Sequence, residues 1–542
     1  MARSEGCRMK LANLEGGSFE LTEVEQVQLA IEHLVHYALQ QGLIEPYDTD
    51  YSRNRLLELF SLDESYQHEL NANVTHSLHT LLETLIDYGC KIGLVPEDTV
   101  TYRNLLDAKI MGQIMARPSE VIRSFRDTER SGGITAATDA FYKLSVDSNY
   151  IRMDRIAENV YWKKETPFGE MEITINLSKP EKNPKEIAMA KLLPPPVYPK
   201  CQLCRENVGY AGRLNHPARQ NLRVIPLTLN EEPWFFQYSP YVYYNEHSII
   251  FHHDHVPMKL TKDTFKRLLD FVGQFPHYFI GSNADLPIVG GSILTHDHFQ
   301  AGRHVFPLEK APVQAEFQHS KFSGVTLNPV KWPMSVVRLG CSNPEVLLEA
   351  ANELYEQWKG YSNPEVDVHA YSEEDGVQVP HNTVTPLVRR RENGDYEIDI
   401  VLRNNRTSEE HPEGIFHAHR EMHHIKKENI GLIEVMGLAI LPGRLKHELA
   451  GIARILAGDN EIYDAVKQGR VPELVTHTAW IEELAAKHGR QMGLQEAEEL
   501  LREEVGGKFA EILGHAGVFK QSDEGQRALH QFLESCGYEK SS

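Results

Sequence analysis

Cysteine is scarce in this chain. Six occur in 542 residues, Cys7, Cys90, Cys201, Cys204, Cys341 and Cys536, and only Cys201 and Cys204 are close together. So few thiols do not make a disulfide framework. Long apolar runs are missing too. None approaches the ~18 residues of a membrane span, and Met1 to Gly17 carries no apolar leader core. Both absences point to the cytoplasm. Basic residues are outnumbered, 56 Lys and Arg against 77 Asp and Glu, for a formal net charge of −21. Neutralising nucleic-acid phosphates needs the opposite balance, so a non-specific nucleic-acid binder is not expected. A local basic pocket for a phosphorylated small molecule stays open. No internal repeat of solenoid period is found.

What is present is the composition of a soluble globular protein, 41% hydrophobic and 25% charged. At roughly 100–200 residues per domain the chain is too long for one ordinary core. Residues 21 to 44 carry apolar side chains at three- and four-residue steps, with Thr22 and Glu25 as a capping box and Gly42 suited to the end. Further helical patterns cover 54–60, 76–88, 100–115 and 118–130, and Ser131-Gly132-Gly133 is expected to punctuate the run. Met171 to Leu177 alternates like a half-buried strand. A Lys/Pro-rich break at 178–184 and the stiff Pro194-Pro195-Pro196 with Pro199 then mark a loose boundary.

Cys201-Gln202-Leu203-Cys204 follows. Two thiolates at this spacing supply half the ligands of a tetrahedral zinc. A redox pair, or two unrelated reduced cysteines, are the alternatives, and the preceding polyproline makes redox the weaker. The loop from Gly209 to Asn221 is dense in Arg and Asn. Its Arg213 and Arg219 suit phosphate oxygens, while a solvated surface loop fits equally well. Strand-like runs come at 234–238 and at 241–244 leading to 248–251, then the His-rich turn His252-His253-Asp254-His255, then a helix over 264–271. Later, 383–390 and 396–402 flank Asn393-Gly394 as a hairpin. Ile415 to His419 is an extended His-x-His, 430–441 is very apolar, and the chain reads helical from Leu445 onward.

The centre of the chain is Gly290-Gly291-Ser292-Ile293-Leu294-Thr295-His296-Asp297-His298-Phe299-Gln300. In an extended segment His296, His298 and Gln300 share one face, because side chains alternate. A neutral imidazole with one lone-pair nitrogen can attack phosphorus and form a covalent intermediate. Gln300 would donate its amide N–H to a non-bridging phosphoryl oxygen as charge shifts there. The bland alternative is a polar strand with two partly exposed histidines.

Cys-x-x-Cys, Asp254-His255, Gly-Gly-Ser and His-x-His-x-Gln in this order resemble the galactose-1-phosphate uridylyltransferase family of the histidine-triad superfamily. The helical N-terminal part, Ile173 to Lys182, and Gly414 to Asn429 resemble its second class, found in Gram-positive bacteria. The resemblance implies an α+β fold: two histidine-triad-like halves with antiparallel sheets (166–330 and 331–445), a mostly helical N-terminal region (1–165) and a helical C-terminal region (446–542). It implies ping-pong uridylyl transfer from UDP-glucose to galactose 1-phosphate, with His298 as nucleophile and Gln300 as its partner. It also implies a structural zinc on Cys201, Cys204, His255 and His296, no organic cofactor, and a homodimer. Asn283, Gly291 and Ser292 are expected to bind phosphates, with Arg213 and Arg219 as further candidates, and Glu434 to bind a sugar hydroxyl. The chain departs from the first class at Asp297 and Phe299, which stand for Pro and Gly. No glutamate matches the one that helps hold a second metal there, so His417 and His419 are read as residues lining the cleft. The rival readings are a histidine-triad nucleotide hydrolase or phosphorylase, and an inactive UDP-sugar-binding protein.

Overall fold

A computed structural model of the chain describes residues 21–70, 76–178, 189, 192–194, 197–291 and 293–541. The start of the chain, most of the 178–184 break, Pro195, Pro196 and Ser292 lie outside the described residues. The fold is mixed α and β with antiparallel sheets, as expected. The chain divides into two compact units. One comprises 1–157, 180–226 and 235–240; the other comprises 158–179, 227–234 and 241–542.

The first unit is built on helices Glu23–Gln40, Thr49–Leu59, Leu78–Lys91, Val100–Met111 and Pro118–Asp147. The expected capping box is present: Thr22 Oγ1 accepts from Glu25 N–H at 3.3 Å, and Glu25 Oε2 accepts from Thr22 N–H at 2.7 Å. The apolar stripe of the first helix, with Ile31 and Leu34 fully buried, packs against Leu56, Leu85 and Ile110. Ser131-Gly132-Gly133 punctuates the run as expected: the span Pro118–Asp147 is two helices that meet at a kink there. Gly133 alone leaves helical geometry, at φ 84°, and the helix resumes to Asp147. Without a Cβ, one residue can turn left-handed and hand the chain back.

The second unit holds two sheets that matter for the site. In the smaller, Val160–Thr166 pairs antiparallel with Gly169–Ile175, which pairs parallel with Leu438–Leu441. Within this unit nine strands of the larger, eleven-stranded sheet run in the order Glu539–Lys540, Phe317–Gln318, Thr326–Pro329, Val336–Cys341, Tyr396–Asn404, Asn382–Arg390, Phe279–Gly281, His298–Gly302 and Ser248–His252. Strands from the expected first and second halves meet where Ile280 faces Val388. The hairpin around Asn393-Gly394 is present, with a five-residue loop closed by Arg391 N–H to Asp395 O at 2.8 Å. Helices Lys262–Gln274 and Pro344–Gly360 cover one face of this sheet. Trp358 is fully buried there and donates its indole N–H to Thr383 O at 2.8 Å.

Helices Leu445–Leu456 and Leu494–Ala516 pack on each other and extend the core with Ile452, Phe509 and Ile512. No helix among the described residues is long and apolar enough to cross a membrane. The apolar 430–441 segment divides into a short helix, Leu432–Val435, and the strand Leu438–Leu441. Ile415 to His419 is turn rather than strand. His419 donates its Nε2–H to Ile415 O, 3.1 Å away, so the segment curls on itself instead of pairing in a ladder.

Candidate active site

The strand that carries His298 and Gln300 begins at His298, not at His296. It lies between two antiparallel neighbours: Phe251 faces His298, Ile249 faces Gln300, and Ile280 faces Ala301. Strand alternation puts His298 and Gln300 on one face and Phe299 and Ala301 on the other. Phe299 is buried with its ring stacked on Trp234, 4.8 Å away at 12°. That apolar face fixes the register, since a slip of one residue would bury Gln300 and expose Phe299.

His298 is 7% exposed. Its Nδ1 lies 2.8 Å from the carbonyl oxygen of His296. A carbonyl only accepts, so the proton sits on Nδ1 and the Nε2 lone pair is free. No hydrogen-bond partner of that Nε2 is found among the described residues. Burial, against the His296 carbonyl bond, lowers the ring's pKa to about 4. The imidazole is therefore neutral at pH 7, as attack on phosphorus requires.

The carboxamide of Gln300 is 3.1 Å from Nε2 of His247, a buried residue just before the Ser248–His252 strand. Sequence reasoning missed His247. No motif contains it, and only strand pairing brings it beside Gln300.

Two asparagines adjoin the Gly290-Gly291 turn, one by a hydrogen bond and one by close packing. Asn429 donates Nδ2–H to Gly290 O at 3.2 Å. Asn283 is buried and accepts at Oδ1 from Leu432 N–H at 2.9 Å. A Cβ on Gly291 would come within 2.7 Å of Asn283 Nδ2, so glycine is required for the approach. Gly414, at φ 123°, admits Ile288 and His417 equally closely. His417 is buried and its Nε2 finds no partner among the described residues. Glu434 lies in the short helix Leu432–Val435. It is buried, accepts from Lys426 Nζ at 2.8 Å, and accepts from Gly431 N–H at 3.2 Å as the cap of its short helix.

His296 sits in the bend before the strand, with Nε2 2.8 Å from His252 O. That bond puts the proton on Nε2 and leaves Nδ1 as a lone-pair donor. The His255 ring is 5.0 Å from it, centroid to centroid. Backbone bonds from Asp297 N to Val256 O (2.7 Å) and from Met258 N to Leu294 O (2.9 Å) hold the two segments together.

In the first unit, the sulfurs of Cys201 and Cys204 are 3.5 Å apart and reduced. Leu203 N–H points at Cys201 Sγ (3.4 Å), and Asn207 Nδ2 donates to the carbonyls of both cysteines. Burial pushes the Cys201 thiol up to about 12, against the Leu203 N–H bond. All four of these side chains are possible metal ligands. Arg213 keeps Nε and one terminal nitrogen buried without an acceptor among the described residues. Arg219 donates to Ala218 O and lies over the Tyr150 ring.

Residues 42–257 match the family model for the galactose-1-phosphate uridyl transferase N-terminal domain, and residues 271–463 match the one for its C-terminal domain. The chain belongs to the galactose-1-phosphate uridylyltransferase family. Among its relatives, the galactose-1-phosphate uridylyltransferase of Caldanaerobacter subterraneus subsp. tengcongensis is 55% identical over 510 residues, covering 94% of this chain and 98% of the relative. That of Halalkalibacterium halodurans is 52% identical over 511 residues, with the same coverage. That of Bacillus subtilis is 50% identical, covering 94% of this chain and 97% of the relative. No solved structure matches the chain.

Proposed function

We propose that the chain transfers a uridylyl group from UDP-glucose to galactose 1-phosphate through a covalent His298 intermediate. Nε2 of His298 attacks the α-phosphorus, the bond to the β-phosphate oxygen breaks, and glucose 1-phosphate leaves. A phosphate oxygen of galactose 1-phosphate then attacks the same phosphorus. UDP-galactose departs and His298 is restored. The observation that carries this reading is the Nδ1 contact to the His296 carbonyl, which commits the lone pair to Nε2. Family membership at this level of identity supports the substrates.

Gln300 is the donor to the phosphoryl oxygen, and the Asn283–Gly291 turn, with Ser292, holds the phosphates. Arg213 and Arg219 are further phosphate partners, and Glu434 remains a hydroxyl acceptor through the second lone pairs of its oxygens. A carboxamide cannot act as acid or base toward water, which favours transfer over hydrolysis. Zinc on Cys201, Cys204, His255 and His296 would be structural: two thiols and two imidazoles make a closed tetrahedral set with no position left for substrate.

Intact-protein mass after adding UDP-glucose tests the mechanism. The expected result is a uridylyl adduct that galactose 1-phosphate discharges, and no adduct on His298→Ala. An unmodified wild-type protein would reject the covalent step. Consumption of UDP-glucose without any sugar phosphate would favour the hydrolase.

A further inference from the structure

The ring of His247 is 2% exposed and lies against Tyr243 and Tyr244, with centroids 5.3 and 4.6 Å away. Its two nitrogens meet different neighbours. Nδ1 is 2.8 Å from the Tyr241 carbonyl oxygen, and Nε2 is 3.1 Å from the Gln300 carboxamide, at the position assigned to Oε1. The Tyr241 carbonyl can only accept, so Nδ1 carries the proton. Burial lowers this ring's pKa to about 4, against both hydrogen bonds, so it holds one proton, not two. Nε2 is then an acceptor, and only the nitrogen end of the Gln300 carboxamide can satisfy it. The two ends of a carboxamide exchange by a half-turn, so this proton count decides which atom stands there. With the oxygen kept at that position a carbonyl would face a lone pair and a buried nitrogen would lose its partner, so the carboxamide is turned by the half-turn that brings its nitrogen there.

We infer that His247 is a positioning residue that sets the orientation of the Gln300 carboxamide. Its Nε2 takes one N–H of the amide and leaves the other, on the same nitrogen, for the phosphoryl oxygen beside His298. The inference rests on the covalent reading above, because it gives the second N–H its task.

Two substitutions separate the two ends of the ring. Asn reproduces Nδ1 and its bond to Tyr241 but has no atom at Nε2. Gln reproduces the acceptor at Nε2 but not the bond to Tyr241. Single-turnover uridylylation by UDP-glucose is followed by quenching and intact-protein mass. His247→Asn should be about tenfold slower than wild type, and His247→Gln within about threefold of it. In a Gln300→Ala background, His247→Asn should cost nothing further, because residues that act through one another are not additive. Equal losses for Asn and Gln, or a full loss added to that of Gln300→Ala, would overturn the inference and leave a packing role. If wild type takes no uridylyl group, the covalent reading fails instead. The nitrogen-15 shifts of the His247 ring still decide this one: a protonated Nε2 would refute it.

Discussion

Replacing Gly291 by alanine places a methyl group 2.7 Å from Nδ2 and 2.9 Å from Cγ of Asn283. Ordinary contact needs roughly 3.5 Å, so Asn283 must retreat by roughly 0.7 Å. It is 4% exposed, and its Oδ1 receives the Leu432 N–H at 2.9 Å, a bond that such a shift breaks. Overpacking costs about 1–3 kcal/mol and the lost bond about 1 kcal/mol. The total is roughly 2–4 kcal/mol. If half of it falls on the arrangement that receives the phosphates, kcat/KM for UDP-glucose drops about five- to thirtyfold, and the rest appears as lost stability. Steady-state kinetics and urea unfolding of the same preparation measure the two parts. Gly360→Ala is the control. That glycine ends the helix Pro344–Gly360 with nothing within 4 Å of its added Cβ, and the change should be neutral. Unchanged kinetics and stability in Gly291→Ala would show that the turn does not approach Asn283 this closely.

Asp399 is fully buried and accepts from Arg338 Nε (2.7 Å) and an Arg389 terminal nitrogen (2.8 Å). Asp399→Asn should lower stability by about 3–5 kcal/mol in urea, because two buried guanidinium groups lose a shared counter-charge and are left with Glu397 between them. Burial works against ionisation of this carboxyl, but Arg389 and Arg338 outweigh it and hold it at about 2. The folded value lies below the unfolded one, so the stabilisation is complete above pH ~4 and lost as pH falls toward 2. About 2–3 kcal/mol of acid sensitivity should therefore vanish in the Asn variant. Lys426→Met should cost a similar amount by stranding the Glu434 carboxylate, and adding Glu434→Leu should restore much of it; an additive double variant would refute the pairing. Metal analysis should find about one zinc per chain, removed by a strong chelator with a fall in Tm and absent from Cys201→Ser. A metal-free native protein of unchanged Tm would reject the site.

The sequence alone carried the chemistry that lives on local spacing. Thr22 and Glu25 announce their helix start because capping is a three-residue event. His298 and Gln300 share a face because alternation is a property of any strand. The order of motifs from Cys201 to Gln300 carried the family. Tertiary structure decided whatever depends on residues far apart in the chain. His298 owes its neutral ring to burial between strands. His247 reaches Gln300 only because Ile249 pairs with Gln300, a register no local pattern displays. Glu434 is buried against Lys426, a partner eight residues away that only the fold of the short helix brings to it. His296 left the extended face because Asp297 bonds to Val256 and bends the chain before the strand begins. Spacing fixes which side chains can act together along one segment, whereas burial and strand partners fix their protons and their neighbours.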